Sequence, residues 1–173
     1  MGYQIFCTFK WPTAYSQGVV FNYKMNILLE IEKISYYDPH LINLKFSATN
    51  GPLYGRLEIY ENADFLNTMA NKLEQFPENQ QDEIKWELGS EKDEDRFLFY
   101  FLFRAIYAPI EDWSSAIHIK LNNNAEMPFT ETSEFYIPCE PAGINRLGNL
   151  FREFGKMNSK KLIWDGVEGE IIS

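Results

Sequence analysis

At 173 residues, with 45% apolar and 16% aromatic side chains, the chain is long and greasy enough for one folded domain, which excludes a disordered polymer. Sixteen basic residues against 25 acidic ones leave a formal charge of −9, which excludes the basic footprint that phosphate backbones require and so argues against nucleic acid as a ligand. No apolar run is long enough to cross a bilayer, so the expectation is a cytoplasmic protein without membrane partners.

Taken in order, residues 3–9 read as a strand closed by Trp11-Pro12, and Met25–Tyr37 as a second with Ile27, Leu29 and Ile31 on one parity. Asp38-Pro39-His40 leads into a hairpin. Leu44 and Phe46 alternate with polar neighbours, Asn50-Gly51 supplies the positive-φ turn, and Leu53, Leu57 and Ile59 begin the return strand. Asn62 is placed to cap a helix, with Asp64 in its first turn. Phe65, Leu66, Met69, Leu73 and Phe76 recur at helical spacing until Pro77. In residues 82–89, Ile84, Trp86 and Leu88 alternate with Glu83, Lys85 and Glu87, the signature of a half-buried strand.

After a charged loop, the run RFLFYFLFRAIYA is apolar on both parities. Its four phenylalanines, two tyrosines and Pro109 favour a strand covered on both faces. Residues 113–121 alternate again, NNNAEMP is a loop, and EFYIP a short strand. Pro141 opens a second helix with an Ile144, Leu147, Phe151, Phe154 stripe ending at Gly155. A small hairpin about Asp165-Gly166 fits the tail. The domain is read as 1–173, with a core over 25–156 and a C-terminal tail over 157–173. The fold class is α+β: a mixed, mostly antiparallel sheet with two amphipathic helices packed on one face. The short connections give strand 53–60 and strand 82–89 a right-handed crossover and parallel directions.

Leu66–Phe76 and Ile144–Phe154 share two asparagines and a final phenylalanine in register. Two copies of a strands-then-helix unit explain this echo, and so do two unrelated amphipathic helices built on one stripe.

No constellation points to catalysis. There is no nucleophile elbow and no clustered glycine loop, and Ser114-Ser115 beside His118 is a local strand pattern. His118 faces away from Ile117 and Ile119 and reads as a satisfied or solvated histidine. The charged loop 91–95 lacks the spacing of a calcium site, and no cysteine–histidine spacing suits zinc, so no catalytic residue, metal or cofactor is assigned. Cys7 and Cys139, the two cysteines, are expected as free thiols. Aromatics on strand faces, with Tyr54, Tyr60, Trp113 and Tyr136 as candidates, suit a protein interface ringed by acids. On the inferred topology Glu61, Glu91, Asp93, Glu94, Asp95, Glu126 and Glu131 gather at one sheet edge as the candidate partner-binding patch. Glu78, Asp82, Glu83, Glu111 and Asp112 lie at the other.

The run LYGRLEIYENADFLNTMANKLEQFP, with Gly55, Tyr60 and Phe76-Pro77, leads into Trp86-Glu87-Leu88-Gly89-Ser90. Together with the PAGINRLGNLF helix it resembles a family of small acidic bacterial proteins, over roughly residues 41–155. Members of that family pair a glycine with a histidine in the 113–118 strand, whereas here Ile117 precedes His118. Some members are similar to immunity proteins of bacterial toxin systems. The resemblance implies a cytoplasmic, non-enzymatic binding protein whose partner is a cognate toxin of basic character. The alternative is another protein-binding or small-molecule-binding domain.

Overall fold

The computed structural model describes residues 27–34, 41–62, 64–92, 98–110, 113–156 and 158–173. In chain order the elements are β1 (Leu29–Ile34), β2 (Leu41–Thr49), β3 (Tyr54–Asn62), α1 (Phe65–Glu74), β4 (Glu83–Gly89), β5 (Tyr100–Ile110), β6 (Trp113–Asn122), β7 (Thr132–Cys139), α2 (Pro141–Gly155), β8 (Lys161–Trp164) and β9 (Gly169–Ile172). The fold is α+β. The strand read over 3–9, and Cys7 with it, lies outside the described residues.

The strands form two antiparallel sheets, ordered β3-β2-β1-β8-β9 and β4-β5-β6-β7. This corrects the inferred crossover: β3 and β4 are not parallel neighbours, because α1 carries the chain from one sheet to the other. The handedness rule holds for strands of one sheet, and a period-2 pattern says which face is buried without saying in which sheet.

The topology repeats. β1-β2-β3-α1-β4 and β5-β6-β7-α2-β8 are the same unit twice, each donating its last strand to the other's sheet. β4 pairs with β5, and β8 pairs with β1. The segment read as a tail is accordingly interior: β8 lies between β1 and β9, with Leu162 and Trp164 fully buried.

The helix stripes match position by position. Leu66, Met69, Ala70, Leu73 and Phe76 are buried on α1 and just beyond it, and Ile144, Leu147, Gly148, Phe151 and Phe154 on α2. The helices run antiparallel. A Cβ at Gly148 would stand 2.7 Å from the Glu74 backbone nitrogen, so only glycine permits this approach. Asn145 Nδ2 donates to the carbonyls of Leu73 and Phe76, adding to the weak backbone bonds that close the C-terminus of α1. Its equivalent, Asn67, lies beside Gly155 at the end of α2.

Trp86 ties the layers together. Its ring meets Phe46 of the first sheet at 6.3 Å and Phe101 of its own sheet at 4.8 Å. It also meets Phe65 of α1 at 5.0 Å and Phe151 of α2 at 6.1 Å. Edge-to-face contacts of this kind add about 0.5–1.5 kcal/mol each beyond area burial. β5 sits between β4 and β6, but it is not covered on both sides. Phe101, Phe103 and Ala105 are buried on its inner face, whereas on the outer face only Leu102 is buried and Tyr100, Arg104 and Ile106 are half-buried among the charged side chains of the sheet.

Local expectations held with one change. Pro141 is the first residue of α2, and Gly51 and Gly166 take positive φ in their hairpin turns. Asn62, however, does not cap α1. The cap position is Asp64, without a side-chain cap bond, and Asn62 Oδ1 accepts from the Asp64 amide at 3.0 Å in a turn just before the helix.

Candidate interaction surface

β3 and β7 are end strands of their sheets, and they meet. Ser133 Oγ donates to the Tyr54 carbonyl at 3.1 Å, and Asn50 Nδ2 donates to the Tyr136 carbonyl at 3.2 Å. The contact requires Gly55, since a Cβ there would lie 2.9 Å from Ser133 Cβ. Gly55 and Ser133 hold equivalent positions in the two units. Beside this junction opens a cleft of about 640 Å³, with Tyr54, Arg56 and Leu57 on one wall and Asn122, Glu131 and Thr132 on the other.

Tyr54 on the cleft wall, and the two hairpin loops that adjoin the cleft, expose large apolar side chains. Leu53 and Tyr54 are 50% and 60% exposed on the β3 side, and Met127 and Phe129 are 83% and 75% exposed in the β6–β7 loop. That loop is held from within. Asn123 Oδ1 accepts from the amides of Ala125 and Glu131 at 3.1 and 2.9 Å, and its Nδ2 donates to the Phe129 carbonyl at 3.0 Å. Thr130 Oγ1 donates to the Ala125 carbonyl at 2.7 Å, and the Phe129 amide to the Glu126 carbonyl at 2.8 Å. Asn124 takes the left-handed φ of 49°, which asparagine tolerates. Two exposed large apolar side chains on a pinned loop lose little conformational entropy on burial, which suits anchors of an interface.

Of the candidate acidic residues, Glu126 and Glu131 lie on this loop, exposed and without an ion-pair partner among the described residues. Loop 90–92 is beside them, through an Asn124 Nδ2 bond to the Ser90 carbonyl at 3.0 Å, but Glu91 is engaged by Lys120 at 2.8 Å. Asp93, Glu94 and Asp95 lie outside the described residues. Glu61 does not join the group. Its carboxylate accepts from Trp86 Nε1 at 3.0 Å and from the Asn62 amide at 2.8 Å. It sits seven residues along β3 from Tyr54, roughly 20 Å away at strand rise. The misplacement has the same cause as the crossover: with β3 in its own sheet, its start rather than its end adjoins the 123–131 loop. At the alternative edge, Asp82 accepts from the Glu78 amide and Glu83 pairs with Arg104 at 3.6 Å. Glu111 and Asp112 are outside the described residues.

The aromatic candidates divide. Tyr54, Tyr60 and Tyr136 are exposed as expected. Met127 and Phe129 were not anticipated, and their signal was two large apolar residues around Pro128 in an otherwise polar loop.

The outer face of the β4–β7 sheet carries most of the remaining charge, largely satisfied within itself. His118 is 6% exposed, stacked on Tyr136 at 4.4 Å, with Nε2 at 3.0 Å from Glu134 Oε1 and Nδ1 unpartnered. It is thus a buried histidine, not a solvated one. Burial would raise the Glu134 carboxyl, but hydrogen bonds and charge from His118 and Lys120 hold it below the usual range. Burial and a 2.7 Å bond to Glu87 push the Tyr100 phenol up, so it stays protonated. Cys139 is a free, buried thiol pushed up to about 12 by its burial, which leaves it unreactive. Among the described residues no group of three His, Cys, Asp or Glu side chains is placed to hold a metal ion, and no helix is long and apolar enough to cross a membrane.

Comparison of the chain with protein families, with curated proteins and with solved structures finds no match to any of them.

Proposed function

We propose that the chain is a binding protein of the immunity type, which neutralises a cognate bacterial toxin by covering a basic surface of it. The observation that carries this reading is the 123–131 loop beside the cleft, where the exposed apolar side chains of Met127 and Phe129 share nine residues with the carboxylates of Glu126 and Glu131, which have no ion-pair partner among the described residues. Apolar anchors supply the affinity, while acidic groups at the rim speed encounter and exclude acidic competitors. The net charge of −9 adds a long-range attraction for a cationic partner.

The test is co-expression with the polymorphic toxin domains encoded beside the gene. Growth protection together with a stoichiometric complex on gel filtration is expected. Absence of both for every neighbouring toxin domain rejects the toxin reading. A second reading follows from the cleft itself, whose opposed Arg56 and Glu131 have no ion-pair partner among the described residues and suit a small zwitterionic ligand. Thermal stabilisation by amino acids or dipeptides, in the absence of any protein partner, would favour that one.

A further inference from the structure

The repeated unit contains its own control for what a loop at this position must do. In the first unit, Thr49 pairs with Tyr54 and the chain reverses through the four residues Asn50–Leu53. Asn50 and Thr49 close it: Asn50 Oδ1 accepts from the Leu53 amide at 3.0 Å and its own amide donates to the Leu53 carbonyl at 3.2 Å, while Thr49 Oγ1 donates to the same carbonyl and accepts from the Gly51 amide at 3.0 Å. In the second unit the equivalent closing pair is Asn122 with Thr132, and the connection is the nine residues 123–131. Chain reversal does not require the longer loop, since the first unit manages with four residues. Core coverage does not require it either, because Met127 and Phe129 point away from the core. Yet both functional groups of the Asn123 side chain are committed to holding its shape.

We propose that loop 123–131 is a contact element added to the second copy of the repeated unit, and that it docks on a basic protein surface. Met127 and Phe129 enter an apolar socket of that surface, and its lysines or arginines meet Glu126 and Glu131. Charge complementarity selects this occupant. The loop contains two acids and no lysine or arginine, and a second copy of the chain would bring −9 against −9. The proposal rests on reading the chain as a binding protein, but not on the partner being a toxin.

The experiment pans a random dodecapeptide display library against the whole protein. It counter-selects on a variant in which residues 123–131 are replaced by the Asn-Gly-Pro-Leu sequence of the first unit. Enriched peptides should combine lysine or arginine with aromatic or aliphatic residues. A synthetic consensus peptide should bind at least tenfold more weakly to the loop variant and to Met127→Ser/Phe129→Ser, with the circular dichroism spectrum unchanged. The double point variant alters only exposed side chains, so it carries the test if the loop variant does not fold. No enrichment, a consensus without cations, or equal affinity for the point variant overturns the proposal. So does a wild-type dimer in sedimentation that the point variant abolishes. Growth protection that persists in the point variant rejects this inference and leaves the toxin reading standing. Failed protection with loop-dependent peptide binding does the reverse.

Discussion

Glu74 and Arg152 occupy the same position in the two units and bind each other across the axis that relates them. Arg152 Nε and Nη2 reach the two carboxylate oxygens at 2.7 and 2.6 Å, and Nη2 also meets Asn71 Oδ1 at 2.7 Å. A pair on such an axis keeps its geometry when its members are exchanged. Asn149 is the equivalent of Asn71, so a guanidinium placed at position 74 finds the same third partner. Glu74→Arg or Arg152→Glu alone sets like charges against each other and lowers the unfolding midpoint. The double exchange should recover most of the loss. A double variant no better than the worse single one counts against the symmetry.

The same pair has a pH signature. The Arg152 hydrogen bond holds the Glu74 carboxyl below its usual range. A depressed carboxylate contributes stability that is present above its unfolded pKa and is lost as pH falls through the folded one. The pair is partly solvated, so the effect is small. Urea midpoints of wild type and Arg152→Gln should therefore differ at neutral pH and converge on acidification below the carboxylate range.

Leu73 and Phe151 are equivalent core positions, both fully buried. Truncating either to alanine removes apolar contacts and leaves a cavity between the helices, which costs about 2–5 kcal/mol for leucine and about 3–5 kcal/mol for phenylalanine. Chemical denaturation measures this directly. A loss under about 1 kcal/mol at both positions contradicts the packing described.

These two residues also mark how far the sequence could be read. Helical spacing located both stripes, and the shared asparagines of Leu66–Phe76 and Ile144–Phe154 fall at equivalent places, although only Asn145 hydrogen-bonds the end of the facing helix while Asn67 merely lies beside Gly155. Alternation at Ile84, Trp86 and Leu88 gave the buried face of β4. It could not say that this face meets Phe46 of a different sheet, because strand exchange is decided by long-range pairing. The acidic patch was legible only where loops are local: Glu126 and Glu131 share one turn of chain, whereas Glu61 depended on the sheet in which β3 lies. The significance of Met127 and Phe129 required exposure, and that of the loop length required the first unit as a ruler.

Lys33 lies on the inner face of β1, opposite Leu44. Its ammonium donates to the Phe154 carbonyl at the end of α2 and stands 4.0 Å from the Phe154 ring centre. Burial lowers its pKa to about 8 against these favourable contacts. A lysine that deprotonates more easily when folded binds fewer protons than the unfolded chain between pH 8 and its ordinary pKa of 10.5, so its share of stability rises with pH across that window. Partial exposure screens the effect to on the order of 1 kcal/mol. Lys33→Met should remove that rise, measured as the difference in urea stability between pH 7.5 and pH 10. An identical pH dependence in both proteins excludes Lys33 as its source.

The two kinds of residue on the 123–131 loop should separate kinetically. Glu126 and Glu131 are exposed and have no ion-pair partner among the described residues, so on the proposed reading they would act on a basic partner across water, over a Debye length of about 8 Å at physiological salt. Met127 and Phe129 act only once water has been expelled. Glu126→Lys/Glu131→Lys should slow association by roughly tenfold or more at low ionic strength, and the deficit should close as salt is added. Met127→Ser/Phe129→Ser should leave association nearly unchanged and accelerate dissociation, because the lost contacts exist only in the docked complex. Surface plasmon resonance against the consensus peptide of the display selection, over a salt series, gives both rates. Glu91 provides the internal comparison: Lys120 already neutralises it at 2.8 Å, so Glu91→Gln should alter the association rate less than the loss of either free carboxylate. An equal or larger effect at Glu91 would move the contact from the 123–131 loop to loop 90–92, where the sequence also placed Asp93, Glu94 and Asp95.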